Sequence, residues 1–320
     1  MNRRKLLWEK FRGRADMRPI LKTGVVSFFI VLLAGLTIKL FVLDSLKVNG
    51  EQMEPEVLAS DRILLFKTPY ITPLVRNLFA SHNKTVVAEL PSHSTYTILR
   101  IAAVAGDIIS VDEGQFYRNG QPLQKFHKNT ELHSIVPAEY SPVDFMAPFK
   151  LPERGDSITF AGLDMRDLIF AYSILRQEKN NIRMKPFIIS GGNTDDNYEI
   201  NDFALYNGPI SEIPEHMRNN WFFWDRLREY IEITTAAEEK NVQLAFSFFK
   251  GDKEISGFKV KKKYVFLLGD NWIRATDSRY FGPVSVNHIQ GHAFMALWWF
   301  GINDAGKLRF NTGRILKLIK

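Results

Sequence analysis

The 320-residue chain contains no cysteine, which excludes disulfides and thiolate chemistry. The absence fits a domain that lives in an exported, oxidising compartment without depending on it. The seven histidines, His82, His93, His127, His133, His216, His288 and His292, are scattered with no His-Glu-x-x-His or similar ligand spacing, so zinc catalysis has no support. Gly191 to Asn197 reads as a polar loop, and its acidic cluster likewise lacks calcium-loop spacing. Neither a metal nor a cofactor is expected.

Hydrophobic residues make up 45% of the chain, the ordinary share for a packed core, and the length suits one or two domains. The net charge of +7 comes from clusters at the two ends: Arg3, Arg4, Lys5, Lys10, Arg12, Arg14, Arg18 and Lys22, then Arg309, Arg314, Lys317 and Lys320. Membrane topology explains the first cluster better than nucleic acid does, and no nucleic-acid partner is expected. Directly after it, Gly24 to Leu43 is an apolar run interrupted only by Lys39, near enough to one end to snorkel. A cleaved signal peptide would have an apolar core of about 7–15 residues and a small-residue cleavage site, which Phe41 to Ser45 does not offer. A single-pass membrane anchor is therefore expected, with the basic N-terminus cytoplasmic and the remainder outside.

Asp61 to Lys67, Lys84 to Leu90, Tyr96 to Val104 and Ile108 to Val111 read as strands, and Asn119-Gly120 between strand-like flanks reads as a hairpin. Thr68 to Phe79 is apolar but broken by two prolines; it either packs on a sheet or dips into the lipid interface. From Gln124 to Ile255 the pattern loosens. Asp164 is placed to cap a helix burying Leu168, Ile169, Tyr172 and Leu175, and a second helix is expected over Trp221 to Glu239. The crowded Trp221 to Trp224 reads as core or as a sticky peptide or lipid surface. Strands resume at Val242 to Phe249, Phe258 to Val260 and Tyr264 to Leu268.

Two stretches carry a family likeness. Gln52-Met53-Glu54-Pro55-Glu56 follows the anchor closely, and Gly269-Asp270-Asn271, a short variable stretch and Asp277-Ser278-Arg279-Tyr280-Phe281-Gly282-Pro283-Val284 follow much later. Together they resemble the type I signal peptidases, membrane-bound serine endopeptidases that cut signal peptides from exported proteins. The likeness covers about Gly24 to Val111 and Tyr264 to Trp299. It implies a fold that is mainly β with some α: a single-pass membrane anchor, then a signal-peptidase-like β-sheet external domain with an α-containing insertion. The expected segments are a cytoplasmic basic stretch 1–23, a transmembrane helix 24–43, a β core in two parts, 44–123 and 256–300, an insertion 124–255 and a basic tail 301–320. The implied place is a bacterial-type inner (plasma) membrane, with the main domain on the external or periplasmic side.

A Ser-Lys protease needs a hydroxyl nucleophile, a lysine kept neutral by burial and donors for the oxyanion. The resemblance puts Gln52 at the nucleophile, Leu99 at the base, Gly50 at an oxyanion hydroxyl and Ala275 at the serine that orients the lysine. All four chemical groups are missing. Met53, Pro55, Arg100, Gly106, Asp107, Asp270, Asn271, Asp277 and Arg279 stay in register, with structural readings: Asp277 and Arg279 to pair or cap a turn, Gly269, Gly106 and Gly282 to supply positive φ. A rebuilt dyad such as Ser60 with Lys67 has little to recommend it, and Ser92 and Ser94 have no compelling base. The expectation is a signal peptidase homologue without the Ser-Lys dyad, non-catalytic, with the lipid membrane, signal peptides, an active signal peptidase or export machinery as partners. The alternatives are an active signal peptidase using unidentified residues and an envelope structural protein. If the family fold is right, Gln52, Leu99 and Ala275 converge.

Overall fold

The computed structural model describes residues 17–67, 80–90, 96–127, 141–179, 181–236, 242–302 and 308–319. It divides into two compact units, Met1–Asp44 and Ser45–Lys320. In the first, helix α1 (Met17–Thr37) continues as a π-helical turn, Ile38–Val42. Within it Lys22–Val42, 21 residues, is long and apolar enough to cross a membrane. At 1.5 Å per residue it measures about 32 Å.

The second unit is dominated by β-structure. In chain order come β1 (Leu43–Lys47), β2 (Asp61–Phe66), β3 (Thr85–Glu89), β4 (Tyr96–Val104), β5 (Ile108–Asp112), β6 (Gln115–Arg118), β7 (Gln121–His127), β8 (Met146–Lys150) and β9 (Ser157–Thr159). Helix α2 (Met165–Glu178) is followed by β10 (Ile182–Ser190), β11 (Asn193–Asp195), β12 (Glu199–Ile200), β13 (Gly208–Pro209), the single turn α3 (Glu215–Arg218) and helix α4 (Trp221–Ala236). The chain then runs through β14 (Val242–Lys250), β15 (Lys253–Glu254), β16 (Gly257–Lys259), β17 (Tyr264–Leu268), the single turn α5 (Ser278–Phe281), β18 (Val284–Ser285), β19 (Ile289–Ile302), β20 (Leu308–Phe310) and β21 (Lys317–Leu318).

The main sheet has the order β1-β2-β19-β3-β4-β17-β18, with β20 and β21 also paired to β19. Its inner strands are buried on both faces, as their nearly continuous apolar sequences require: Ile98 to Ala103 and all of Tyr264–Leu268 are shielded from solvent. On one face lies a second sheet, β7-β6-β5-β8, whose Ile109, Val111, Phe116, Phe126 and Met146 share a core with Ala102, Ala103, Phe266 and Leu268. The β6–β7 hairpin turns at Asn119 and Gly120, both with positive φ, as a two-residue Asn-Gly hairpin demands. On the other face Val86, Leu99, Ile101 and Leu267 pack with Phe281, Val284 and Ile289.

The insertion builds its own small layer. β10 and β14 pair along their full length, and α2 and α4 cover the resulting sheet through Ile169, Tyr172, Phe223, Trp224, Leu227 and Ile231. Asp164 caps α2, accepting from Asp167 N–H at 2.8 Å. The second helix ends its described course at Ala236. Trp224 and Phe223 are buried in the core of this layer, and the half-buried Trp221 turns its indole N–H to Arg279 O at 2.5 Å. α2 is sutured to the main sheet by Gln177, whose amide donates to Pro283 O (2.8 Å) and accepts from Ser285 N–H (2.6 Å).

Three elements differ from the sequence expectation. The stretch expected as a polar loop after Gly191 contains β11, because its residues extend the edge of β10. β10 itself has no counterpart in the sequence reading, since Pro186 and the alternating Arg183 and Lys185 mask its pattern. The chain's last residues are not merely appended: Lys317–Leu318 pairs with β19, and the buried Arg314 forms a bidentate ion pair with the buried Asp61. The apolar segment Thr68 to Phe79 and Ser92 and Ser94 lie outside the described residues.

Candidate functional site

The turn after β1 is anchored by Met53. Its side chain is buried among Val57, Ile63, Leu65, Val87, Ile98 and Ala293, a peg holding the turn on the sheet. Fully burying a side chain of this size stabilises by about 1.5–3 kcal/mol. The turn closes on itself through Glu54 N–H to Glu51 O (3.1 Å) and Val57 N–H to Met53 O (2.9 Å).

The later block grips this turn by its main chain. Asn271 N–H donates to Gln52 O at 3.0 Å and the Asn271 side-chain amide to Glu51 O at 3.1 Å, while Arg274 pairs with the Glu51 carboxylate. Gly269 does not supply a positive φ, as the sequence reading has it; that role falls to Gly106 and Gly282. Gly269 is needed for close approach, because a Cβ there would stand 2.5 Å from Gln52 O and collide with the Ala275 methyl. Gln52 and Ala275 thus meet at Gly269. In the β17–β4 register Leu268, the residue before Gly269, faces Arg100, the residue after Leu99. Residues from three distant stretches therefore border one corner of the sheet.

The block is braced from behind by two ion pairs. Asp277 and Arg279, both fully buried, are joined at 2.8 and 2.9 Å, and Asp277 also accepts from Gly269 N–H at 3.0 Å. Arg279 further donates to Trp272 O (2.7 Å) and lies 4.0 Å over the Trp272 ring. Arg100 makes a two-pronged pair with Asp270 at 2.8 and 2.7 Å and donates to Asn83 O. Asp107 accepts from Val104 N–H, Asn119 and His82. Burial works to raise its pKa, but these bonds outweigh burial and hold the carboxyl below its ordinary value.

Chemically, the corner is stripped of proton-transfer groups at the four matched positions. Leu99 is fully buried in an apolar cluster and can neither give nor take a proton. The Gln52 carboxamide donates and accepts hydrogen bonds without charge and is no nucleophile. Its side chain folds back so far that a Cβ at Gly50 would collide with Gln52 Oε1, and Gly50 itself has φ +92°. Ser60 and Lys67 flank the six-residue β2 at opposite ends, about 23 Å apart at about 3.3 Å per residue, so they form no dyad.

Sequence reasoning missed Lys125. Its ammonium lies 3.5 Å from Asp270 Oδ2, and burial, offset by Asp270 but aided by the Arg100 charge, lowers its pKa. Nothing in the local sequence of β7 signals this placement, which depends on the packing of the second sheet. Among the described residues, no three His, Asp or Glu side chains are grouped to hold a metal ion.

Comparison with known proteins agrees with this geometry. The family described as signal peptidase, peptidase S26, matches residues 21–298. A segment of 48 residues is 44% identical to the mitochondrial ATP-independent inner membrane protease subunit 1a of Arabidopsis thaliana, covering 15% of this chain and 28% of the relative. A segment of 46 residues is 46% identical to the mitochondrial inner membrane protease subunit 1 of Mus musculus, covering 14% of this chain and 26% of the relative. The chain therefore spans only about a quarter of these curated relatives in the matched part. With nearly its whole length matched by the family and the two motif stretches clasped together as described, the chain belongs to the signal peptidase family, peptidase S26.

Proposed function

We propose that this protein is a non-catalytic member of the family, held in a membrane by its N-terminal helix with the basic terminus cytoplasmic and the β-domain on the external side. It retains the family scaffold to bind signal peptides, an active signal peptidase or export machinery. The observation that carries this reading is Leu99: the position that the family resemblance gives to the general base holds an aliphatic side chain, fully buried in an apolar cluster. Without a base, a hydroxyl at position 52 would keep its proton. Gln52, Gly50 and Ala275 support the same reading from independent stretches, while the main-chain clasp between Asn271 and Gln52 accounts for why the motifs persist without chemistry.

The test is incubation of the purified full-length protein in detergent with a precursor carrying a signal peptide. The expected outcome is intact precursor together with measurable association of the signal peptide or of an active signal peptidase. Cleavage that survives replacement of Gln52 would place an unidentified nucleophile in the chain and overturn the proposal. Neither cleavage nor association would favour a structural role in the envelope.

A further inference from the structure

Four cations gather around the connection from β16 to β17. Along Phe258 to Tyr264 the side chains alternate: Phe258, Val260 and Tyr264 are buried, while Lys259, Lys261 and Lys263 are exposed. The three lysine α-carbons span at most about 14 Å. Arg154, also exposed, joins them from the turn before β9, where Gly155 N–H donates to Val260 O and Val260 N–H to Asp156 O. The connection is fixed from within by Glu178 at the end of α2, whose Oε1 accepts from the N–H groups of Lys261 and Lys262, at 2.9 and 2.8 Å, and from the Tyr264 hydroxyl. Lys262 turns inward and donates to Gln177 O. A cleft of about 450 Å³ opens at the end of the row, with Arg154, Lys263, Glu153, Val104 and Val286 in its lining.

Charge and spacing select the occupant. Among the described residues none of Arg154, Lys259, Lys261 and Lys263 has an ion-pair partner. The carboxylates beside them are committed elsewhere: Glu178 to the main chain and Tyr264, Asp156 to Glu153 N–H, and Glu153 to the Lys150 ammonium at 3.3 Å. Cations set side by side repel one another, and an anion laid along them relieves that repulsion. Successive exposed lysines stand two residues apart, the spacing at which an extended polypeptide presents side chains to one side. A segment with acidic residues at alternate positions therefore meets the row charge for charge. Because Phe258, Val260 and Tyr264 point inward, the row carries no aromatic ring to stack a nucleobase and no apolar side chain to enter lipid.

We propose that Arg154, Lys259, Lys261 and Lys263 form a docking surface for an extended, acidic segment of a partner polypeptide. The surface shares no residue with the Gln52 corner, and the proposal does not rest on the reading of that corner. The experiment uses the full-length protein in uncharged detergent micelles at low salt and fluorescent ten-residue serine peptides. One carries four glutamates at every second position, one carries four glutamates at every third position, and one carries four lysines at every second position. The first is expected to bind at least about threefold more tightly than the second, whose successive acids point to opposite sides of an extended chain, and the lysine peptide is expected not to bind. In R154Q/K261Q/K263Q, checked for unchanged melting, the affinity for the first peptide should fall at least about tenfold. The basic segment Arg3 to Lys22 is the same in both proteins, so its own attraction for acids cancels in that comparison. No binding of the first peptide, equal binding of the second, or an affinity that the variant keeps overturns the proposal. Tighter binding of a single-stranded oligonucleotide or of phosphatidylglycerol vesicles, lost in the variant, would assign the surface to that partner and overturn it as well.

Discussion

The side chain of Gln52 lies folded against the α-carbon of Gly50, so closely that a Cβ at Gly50 would stand 2.3 Å from Gln52 Oε1. The two residues are therefore coupled. Gly50→Ala is expected to destabilise the protein by about 1–3 kcal/mol, from its positive φ and from collision with Gln52. Combined with Gln52→Ala the loss should shrink, leaving a coupling of about 0.5–3 kcal/mol in a double-mutant cycle of denaturant midpoints. Strict additivity would mean that the two residues do not touch. A Gly50→Ser repair of the oxyanion site is opposed by the same geometry.

Leu99→Lys places an ammonium in a buried apolar cluster of residues such as Val86, Ile101, Leu267 and Phe281. Denaturation should show a loss of about 3–5 kcal/mol, while Leu99→Met costs less than about 1.5 kcal/mol. Neither this change alone nor Gln52→Ser alone should yield cleavage, because groups that act as a unit fail singly.

The Arg100–Asp270 pair binds β4 to the later block with both side chains almost wholly buried. Asp270→Asn should cost about 3–5 kcal/mol by leaving Arg100 without its counter-charge, and Arg100→Met with Asp270→Leu should recover much of that loss. Chemical denaturation of the three proteins measures the difference.

These features mark the limit of what the sequence carries. The motif stretches were legible because Gln52 to Glu56 and Gly269 to Val284 are continuous and their spacing survives in the chain. The strands β2, β4 and β17 were legible from burial pattern, and the Asn119-Gly120 turn from its required φ. The coupling of Gln52 to Gly50, the approach of Lys125 to Asp270 and the pairing of Arg314 with Asp61 were not, since each depends on tertiary placement that no local pattern records. Pro186 concealed β10 because proline argues against a strand unless the edge is known to be open.

Burial lowers the pKa of His292, and the neighbouring charges of Lys84 and Arg100 push it the same way. The unfolded chain then binds a proton more readily than the folded one, so the stability tied to neutral His292 is complete above about pH 6.5 and is lost as pH falls through the lower folded value. Thermal melting of the intact protein should weaken between about pH 7 and 5, and His292→Gln should flatten that part of the profile. An unchanged slope in the variant would assign the acid sensitivity elsewhere.

The order of synthesis meets an obstacle in the main sheet. Its strand β19 lies between β2 and β3, which have no pairing with each other, and the carboxylate of Asp61 is fully enclosed with its cation, Arg314, in the closing turns of the chain. While the polypeptide is still being made, the first strands have neither a central partner nor a counter-ion, and they wait exposed. The fold can close only once its C-terminal residues have emerged, so removing the last ten residues, or delaying them, leaves an anchored but open sheet with unpaired edges.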